Sequence, residues 1–160
     1  MKSDYKQPNI KSRLKLVAGS TPLMMAGGKK PDPSMQPGKF VATVQTAKFI
    51  ERGKKTNAVL IYEVAEGPET GTQLRQWIEV NEVNGVINPY SKYYEHCEMA
   101  LGRPIKRQES LDPEQIFPGK LCVVEVGYSK RFERNQGDHL ALTKKYDRDF
   151  LRVHQILEVL

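Results

Sequence analysis

The chain has 160 residues, of which 39% are hydrophobic and 28% charged, a composition that fits one globular domain with a core of its own. No apolar run approaches the roughly 18 residues of a membrane-spanning helix, and two cysteines are too few for a disulfide framework or most zinc modules. The net charge of +6 is uneven, because residues 1–36 carry +5 and residues 37–160 carry +1. The total charge is therefore weak evidence for a nucleic-acid partner, although it does not exclude a local basic stripe.

Residues 1–36 contain several prolines and a paired glycine, and they hold no sustained periodicity. We therefore predict a flexible basic arm, followed by one folded domain over residues 37–160. The competing interpretation is a signal peptide, with basic residues ahead of an apolar stretch. Gly19-Ser20-Thr21-Pro22 interrupts that stretch and the charged start is too long, which disfavours secretion.

Apolar and polar residues alternate in the first half of the domain, and this pattern predicts three strands. They run from Phe40 to Ile50, from Ala58 to Ala65 and from Thr72 to Val80. The period then changes to that of a helix. Asn88 and Pro89 predict its cap and first turn, and Gly102 predicts its end.

Two more strands are predicted after a short turn between Leu111 and Phe117. They run from Leu121 to Tyr128 and from His139 to Asp147, with a polar loop from Ser129 to Asp138 between them. The apolar end, Leu151 to Leu160, is predicted to extend the last strand or to cap the core. A self-association contact is the alternative use of this end.

Three strands, a helix and two strands follow one another in the order of an OB-fold, a partly open five-stranded Greek-key barrel. We therefore predict a mainly β protein with an OB-fold-like barrel, one helix between strands three and four, and a flexible N-terminal arm. Other small α+β folds share this order. The first hairpin tip and the loop between strands four and five are charged and contain glycine, and these loops flank the ligand groove of an OB-fold.

The sequence contains no Walker-type phosphate loop and no GxGxxG, HExxH or GxSxG motif. His96, His139 and His154 are scattered, and no carboxylate pair follows from spacing. Cys97 and Cys122 lie on predicted apolar faces, which is typical of buried structural thiols. We therefore predict no enzyme activity, no cofactor and no metal site.

The third strand carries the most informative side chains. Because side chains alternate along a strand, Leu74 and Ile78 share one face, while Arg75 and Trp77 share the other. In a structural interpretation, the arm or the C-terminal segment covers Trp77, the only tryptophan. In a functional interpretation, the indole stacks on a base and Arg75 attracts the phosphate backbone or stacks beside it. Such stacking contributes about 1–3 kcal/mol per base and tolerates any sequence.

Basic and aromatic residues in both loops and on neighbouring strands would extend this platform into a groove for a single strand. Taken singly, each charge run is typical of a solvated turn, but together they border the groove of an OB-fold. The candidate nucleic-acid-binding residues are Lys54, Lys55, Tyr62, Arg75, Trp77, Tyr128, Lys130, Arg131, Phe132, Arg134 and Lys144.

Several short motifs carry a family resemblance. They are Gly38-Lys39-Phe40-Val41-Ala42-Thr43-Val44, Tyr62-Glu63-Val64 with Glu66-Gly67 and Gly71, Asn88-Pro89, Ala100-Leu101-Gly102, Leu111-Asp112 and Pro118-Gly119-Lys120. In these motifs, residues 38–128 resemble small OB-fold proteins of bacteriophages and mobile elements, which bind single-stranded DNA in replication or recombination where they are understood. The resemblance implies sequence-tolerant binding of single-stranded DNA without catalysis, and Arg75 and Trp77 match by position.

The resemblance also sets the expected partners. We expect single-stranded DNA, or RNA as a second ligand, together with replication or recombination proteins, a homo-oligomer and no membrane. We expect the cytoplasm of a bacterial or phage-infected cell as the location. The chain ends in Glu158-Val159-Leu160 and lacks the acidic tip of cellular single-stranded DNA-binding proteins, so recruitment through such a tip is not expected.

The alternative hypothesis is an OB-type protein-interaction subunit of a replication or recombination complex. Steep salt dependence of binding separates the two hypotheses, because counterions are released from phosphates and not from a protein partner. A nuclease would need carboxylates that folding brings together from distant positions.

Overall fold

The computed structural model describes residues 28–32, 34–129 and 151–160. These residues form a mainly β fold, with a five-stranded antiparallel sheet, a small hairpin and two short helices. In chain order, the elements are β1 (Gly38–Arg52), β2 (Lys55–Val64), β3 (Gln73–Glu79), β4 (Glu82–Val83), β5 (Val86–Ile87), α1 (Lys92–Leu101), α2 (Pro113–Ile116), β6 (Leu121–Tyr128) and β7 (Leu151–Val159). Within the described part of the chain, no helix has the length and apolar character needed to span a membrane.

The strands of the large sheet lie in the order β3-β2-β1-β6-β7, and every neighbouring pair is antiparallel. β4 and β5 form a separate hairpin between β3 and α1. Its two turn residues, Asn84 and Gly85, have φ values of 54° and 83°, which is the backbone that a tight two-residue hairpin turn requires. The sequence did not predict this hairpin, because strands of two residues are too short to show alternation.

A β-bulge in β1 decides which of its side chains face the core. The register against β2 shifts between Val44 and Thr46. Ala42 and Val44 are buried before the bulge, whereas Ala47 and Phe49 are buried after it. The extra residue therefore exchanges the two faces of the strand. Beyond the bulge, the even-numbered residues of β1 lie on the outer face of the sheet.

The core lies between the inner face of the sheet and the two helices. Three aromatic rings connect these layers, because Tyr93 of α1 packs against Phe49 and Phe117 with ring centroids 5.6 and 6.1 Å apart. The Tyr93 hydroxyl donates a hydrogen bond of 2.5 Å to the carbonyl of Leu111. Tyr93 is fully buried, so this bond satisfies a polar group that would otherwise be costly to bury.

The three N-terminal strands, the helix and the strand from Leu121 to Tyr128 occur where the sequence predicts them. The predicted helix start is wrong by three residues. The cap is Ser91, which has an extended backbone and whose Oγ accepts the N–H of Tyr94, whereas Asn88 and Pro89 belong to the preceding turn. A serine hydroxyl that satisfies a free N–H of the first turn is a favourable cap, and it lies closer to the apolar stripe of the helix.

The predicted strand from His139 to Asp147 lies outside the described residues. The strand that pairs with β6 is β7, so the apolar end of the chain forms the edge of the sheet. Leu151, Val153 and Ile156 on β7 are buried in the core. The predicted use of this segment in core packing is therefore confirmed.

Part of the range predicted as an arm packs on the sheet. Lys29 forms a parallel bridge with Thr72, and its carbonyl accepts the N–H of Gln73 at 2.7 Å. Pro31 is buried, and Met35 is 2% exposed and belongs to the core. The packed part of the protein therefore begins upstream of β1.

The two outermost strands, β3 and β7, approach each other along a line that we call the seam. No backbone ladder joins them within the described ranges, so the OB-fold barrel stays a prediction. Side chains bridge the seam instead. Gln76 Nε2 on β3 donates to the carbonyl of His154 on β7 at 3.2 Å, and Lys92 Nζ of α1 donates to the same carbonyl at 3.1 Å.

A buried histidine completes the seam. The N–H of Ile156 donates to His96 Nε2 at 3.2 Å, and Gln76 Nε2 lies 3.1 Å from the same nitrogen. Since Nε2 accepts, we assign the ring proton to Nδ1, which is buried and has no hydrogen-bond partner among the described residues. Burial, with a smaller contribution from Lys92, lowers the pKa of His96 to about 4. The seam is therefore held by a neutral imidazole.

Candidate nucleic-acid interface

The outer face of β1, β2 and β3 brings basic, apolar and aromatic side chains into adjacent rows. The register places Lys48 opposite Val59 and Val59 opposite Trp77. In the next row, Ile61 lies between Thr46 and Arg75. Directly opposed side chains in an antiparallel pair are about 5 Å apart at Cβ, so each row is in contact across the strands. We call the following side chains the outer patch: Lys48, Arg52, Val59, Ile61, Arg75 and Trp77.

The middle strand gives the outer patch an apolar floor. Val59 and Ile61 point away from the core, yet they are only 1% and 2% exposed. Their cross-strand neighbours Lys48, Arg75 and Trp77 are half-buried. Lysine and arginine commonly lay their aliphatic stems along apolar surface while the charged end stays in water. The outer patch therefore presents an aromatic ring and cationic groups around an apolar centre, Val59 and Ile61, that is shielded from water.

Arg52 lies against the ring of Trp77. The Cζ atom of its guanidinium is 4.8 Å from the centroid of the indole ring, a cation–π distance. Arg52 ends β1, and the turn at Gly53 and Lys54 returns the chain to Lys55, which pairs with Arg52 across the hairpin. Gly53 has a φ of 61°, a left-handed backbone that favours glycine, and the tight turn that it allows lies beside Arg52.

The hairpin tip adds two exposed lysines. Lys54 and Lys55 are both exposed, and Lys55 Nζ lies 3.6 Å from Glu79 Oε1 of β3. The side chains of this ion pair are 69% and 52% exposed, so water screens it and its contribution to stability is small. Glu79 offsets part of the positive charge near Trp77, whereas Lys48, Arg52 and Arg75 add to it.

Of the predicted site residues, Lys54, Lys55, Arg75 and Trp77 lie on or beside the outer patch. The alternation predicted for β3 is confirmed, since Leu74 and Ile78 are buried while Arg75 and Trp77 are half-buried on the opposite face. Five others are outside the described residues: Lys130, Arg131, Phe132, Arg134 and Lys144.

Tyr62 is a correction to the predicted set. Its side chain is 0% exposed, and its hydroxyl donates to Gln76 Oε1 at 2.6 Å inside the core. Burial raises the pKa of Tyr62 well above its ordinary value. It faces the same way as the buried Leu60 and Val64, because residues two apart share a face of the strand. Tyr62 cannot contact a ligand on the outer patch, and we remove it from the site.

Tyr128 is also apart from the outer patch. It ends β6, which lies on the far side of β1 from β2 and β3, and its side chain is half-buried against the core. Its carbonyl lies 2.8 Å from His154 Nε2. The structure therefore places Tyr128 in the pairing of β6 with β7 and not beside Trp77.

The predicted set omitted Lys48 and Arg52. A regular alternation continued from Val44 would turn both side chains towards the core, and the bulge turns them outwards instead. The sequence does contain a signal for this change. Phe40, Ala42 and Val44 share the even positions and Ala47 and Phe49 the odd ones, although Val41 and Ile50 depart from this pattern, and such a switch is typical of a bulge.

Comparisons of the chain with protein-family models, with curated proteins and with solved structures found no match. Within the described ranges, no group of three or more histidine, cysteine or carboxylate side chains is arranged to hold a metal ion. We therefore infer the function of the protein from the geometry of the outer patch.

Proposed function

We propose that this protein binds single-stranded nucleic acid, foremost single-stranded DNA, without sequence preference and without catalysis. The observation that carries the proposal is Trp77, which lies on the outer face of the sheet beside an apolar floor and among Lys48, Arg52 and Arg75. An aromatic ring stacks on any base, and cations beside it attract the phosphates on either side of that base.

The strand order supports an OB-type barrel as the scaffold. With β6 as the fourth strand, the order β6-β1-β2-β3 is that of a Greek key, and α1 lies in the chain between the third and fourth strands. In OB-folds, oligonucleotides bind on the face of strands two and three and on the loop between strands one and two. The outer patch lies on β2 and β3 and reaches that hairpin tip.

The biological setting follows from the resemblance of residues 38–128 to small proteins of bacteriophages and mobile elements. We place the activity in replication or recombination of such an element. In that setting, a sequence-tolerant binder protects and holds single strands for other proteins. Stacking together with phosphate contacts provides binding of this kind.

A second candidate function is that of a protein-interaction subunit. It is favoured by the β4–β5 hairpin, where Val83 and Val86 pair across the two strands and are 74% and 37% exposed. Exposed apolar side chains that lie close together mark protein contacts more often than single ones do. A protein partner held through these residues would show little dependence on salt, in contrast to a polyanion.

The test of the proposed function is the variant Trp77→Ala, with binding of labelled oligo-dT followed by fluorescence anisotropy. Loss of one base stack should weaken binding by about 1–3 kcal/mol. Trp77→Phe should keep part of this energy. Tyr90→Ala is the matched control, because it removes an exposed aromatic ring outside the outer patch and should leave the affinity unchanged. Equal affinities for wild type and Trp77→Ala would refute the proposal.

A further inference from the structure

The guanidinium of Arg52 occupies a face of the ring that a base would need. Its Cζ atom lies 4.8 Å from the Trp77 centroid, and the Trp77 side chain is half-buried. A base can stack on that ring face only after the guanidinium has moved. Trp77 is therefore not an open platform in the free protein.

We infer that Arg52 is a displaceable cover of Trp77, which a nucleobase replaces on the ring while the freed guanidinium moves to a phosphate of the same strand. This inference rests on the proposed function and specifies how the site opens. Arg52 is exposed, ends its strand beside the Gly53 turn and, within the described residues, pairs with no carboxylate. Among the residues that the structure describes, the ring of Trp77 is the one contact of its charged end.

The relative strengths of the two contacts favour this exchange. An exposed cation–π contact changes an equilibrium by roughly two- to fivefold, whereas a base–aromatic stack changes it by roughly five- to 150-fold. The guanidinium also gains from the exchange, since its planar fork can bind a phosphate through two parallel hydrogen bonds. Lys55 is less free to do so, because Glu79 lies within 3.6 Å of its ammonium group.

The cover can be tested first without any ligand. Trp77 is the only tryptophan, so acrylamide quenching of the emission of the free protein reports the accessibility of this ring. Arg52→Ala should raise the quenching constant, and Arg52→Lys should raise it less, because lysine keeps a charge near the ring. An unchanged quenching constant in Arg52→Ala would overturn the inference, whatever the protein binds.

The exchange is tested with oligo-dT and an abasic oligonucleotide of equal length, which carries the same phosphates and no bases. In Arg52→Ala, the slope of log K against log salt should shrink by about 0.7, because one phosphate contact is lost. The preference for oligo-dT over the abasic strand should rise roughly two- to fivefold, since the base no longer displaces a cation. Arg52→Lys should keep the slope.

Two results would contradict the exchange. If the preference of Arg52→Ala for oligo-dT over the abasic strand falls to that of Trp77→Ala, Arg52 itself takes part in stacking with the base. If this preference is unchanged, Arg52 does not affect base stacking. Failure of the proposed function gives a different result. In that case, wild type and Trp77→Ala bind both oligonucleotides equally or bind neither, whereas a wrong inference leaves the effect of Trp77→Ala intact.

Discussion

At the scale of single residues, Glu79 offsets positive charge that, under the proposed function, would attract phosphates near Trp77. Its carboxylate lies 3.6 Å from Lys55 Nζ, and both groups are largely exposed. Glu79→Gln should therefore free the lysine, strengthen binding of oligo-dT at low salt and steepen the salt dependence. The measurement is the slope of log K against log salt, with Glu69→Gln as the control, since Glu69 lies in the loop before β3 and outside the outer patch.

Replacing Lys54 and Lys55 together by alanine should weaken binding of oligo-dT at low salt and reduce its salt dependence, the opposite of the effect expected for Glu79→Gln. If both ammonium groups contact phosphates, the salt slope should shrink by about 1.4, because each contact to a single strand contributes about 0.7. Affinity at high salt should change little, since the stacking term is retained. A uniform loss of affinity with an unaltered slope would contradict a phosphate-binding role for the hairpin tip.

His96 makes the stability of the fold sensitive to acid. Burial lowers its pKa from 6.5 to about 4, and its neutral Nε2 accepts the N–H of Ile156 across the seam. The unfolded chain takes up a proton below pH 6.5, whereas the folded chain does so only near pH 4. The stabilisation by neutral His96 is therefore complete above pH 6.5 and is lost as the pH falls from 6.5 to 4.

Urea unfolding, followed by circular dichroism at pH 7 and at pH 4.5, measures the decrease in unfolding free energy that is due to His96. We expect this decrease to be about 2–3 kcal/mol. His96→Gln should reduce it, since glutamine can accept the same hydrogen bond and has no proton to gain. Glu109 does not interfere in this range. Its hydrogen bond with Arg103 lowers its pKa to about 2, so its contribution is lost only below about pH 4.5. An equal loss in wild type and His96→Gln would refute the role of His96.

At the scale of elements, the contact of β6 with β7 depends on a glycine. A Cβ atom at Gly127 would lie 2.7 Å from the His154 ring, and Nε2 of that ring is held 2.8 Å from the carbonyl of Tyr128. Gly127→Ala should therefore cost about 1–3 kcal/mol of unfolding free energy. In the background of His154→Ala, the same change should cost less, because the ring is gone. If the changes in unfolding free energy of the two single variants add strictly in the double variant, the His154 ring is not the reason why residue 127 is a glycine.

Simple alternation predicts strands well and the faces of a bulged strand poorly. It placed Trp77 and Arg75 together because β3 is regular, and the same rule applied to β2 would have kept Tyr62 out of the site. In β1, the bulge between Val44 and Thr46 exchanges the faces, so only the structure shows that Lys48 and Arg52 lie on the same face as Trp77. Register is a property of two paired strands, and one strand's sequence specifies it incompletely.

At the scale of the whole molecule, the sequence predicted β1, β2, β3, α1 and β6, but it missed the β4–β5 hairpin and did not predict how the sheet is held together. The seam depends on Gln76, His96 and the backbone of His154 and Ile156, which are up to 80 residues apart in the chain. Nothing local marks a glutamine or a histidine for such a bridge. The network gives the buried Gln76 amide and His96 Nε2 hydrogen-bond partners, without which burying these polar atoms would cost stability.

The most direct test of the proposed function uses Trp77 as its own reporter. The protein is titrated with oligo-dT and with duplex DNA of equal length, at low and at raised salt, and tryptophan emission is followed. We expect quenching by the single strand alone, lost as salt rises, because the base stacks on the only indole and the phosphates release counterions. Unchanged emission with both ligands, or equal quenching by the duplex, would contradict binding of single strands at the outer patch.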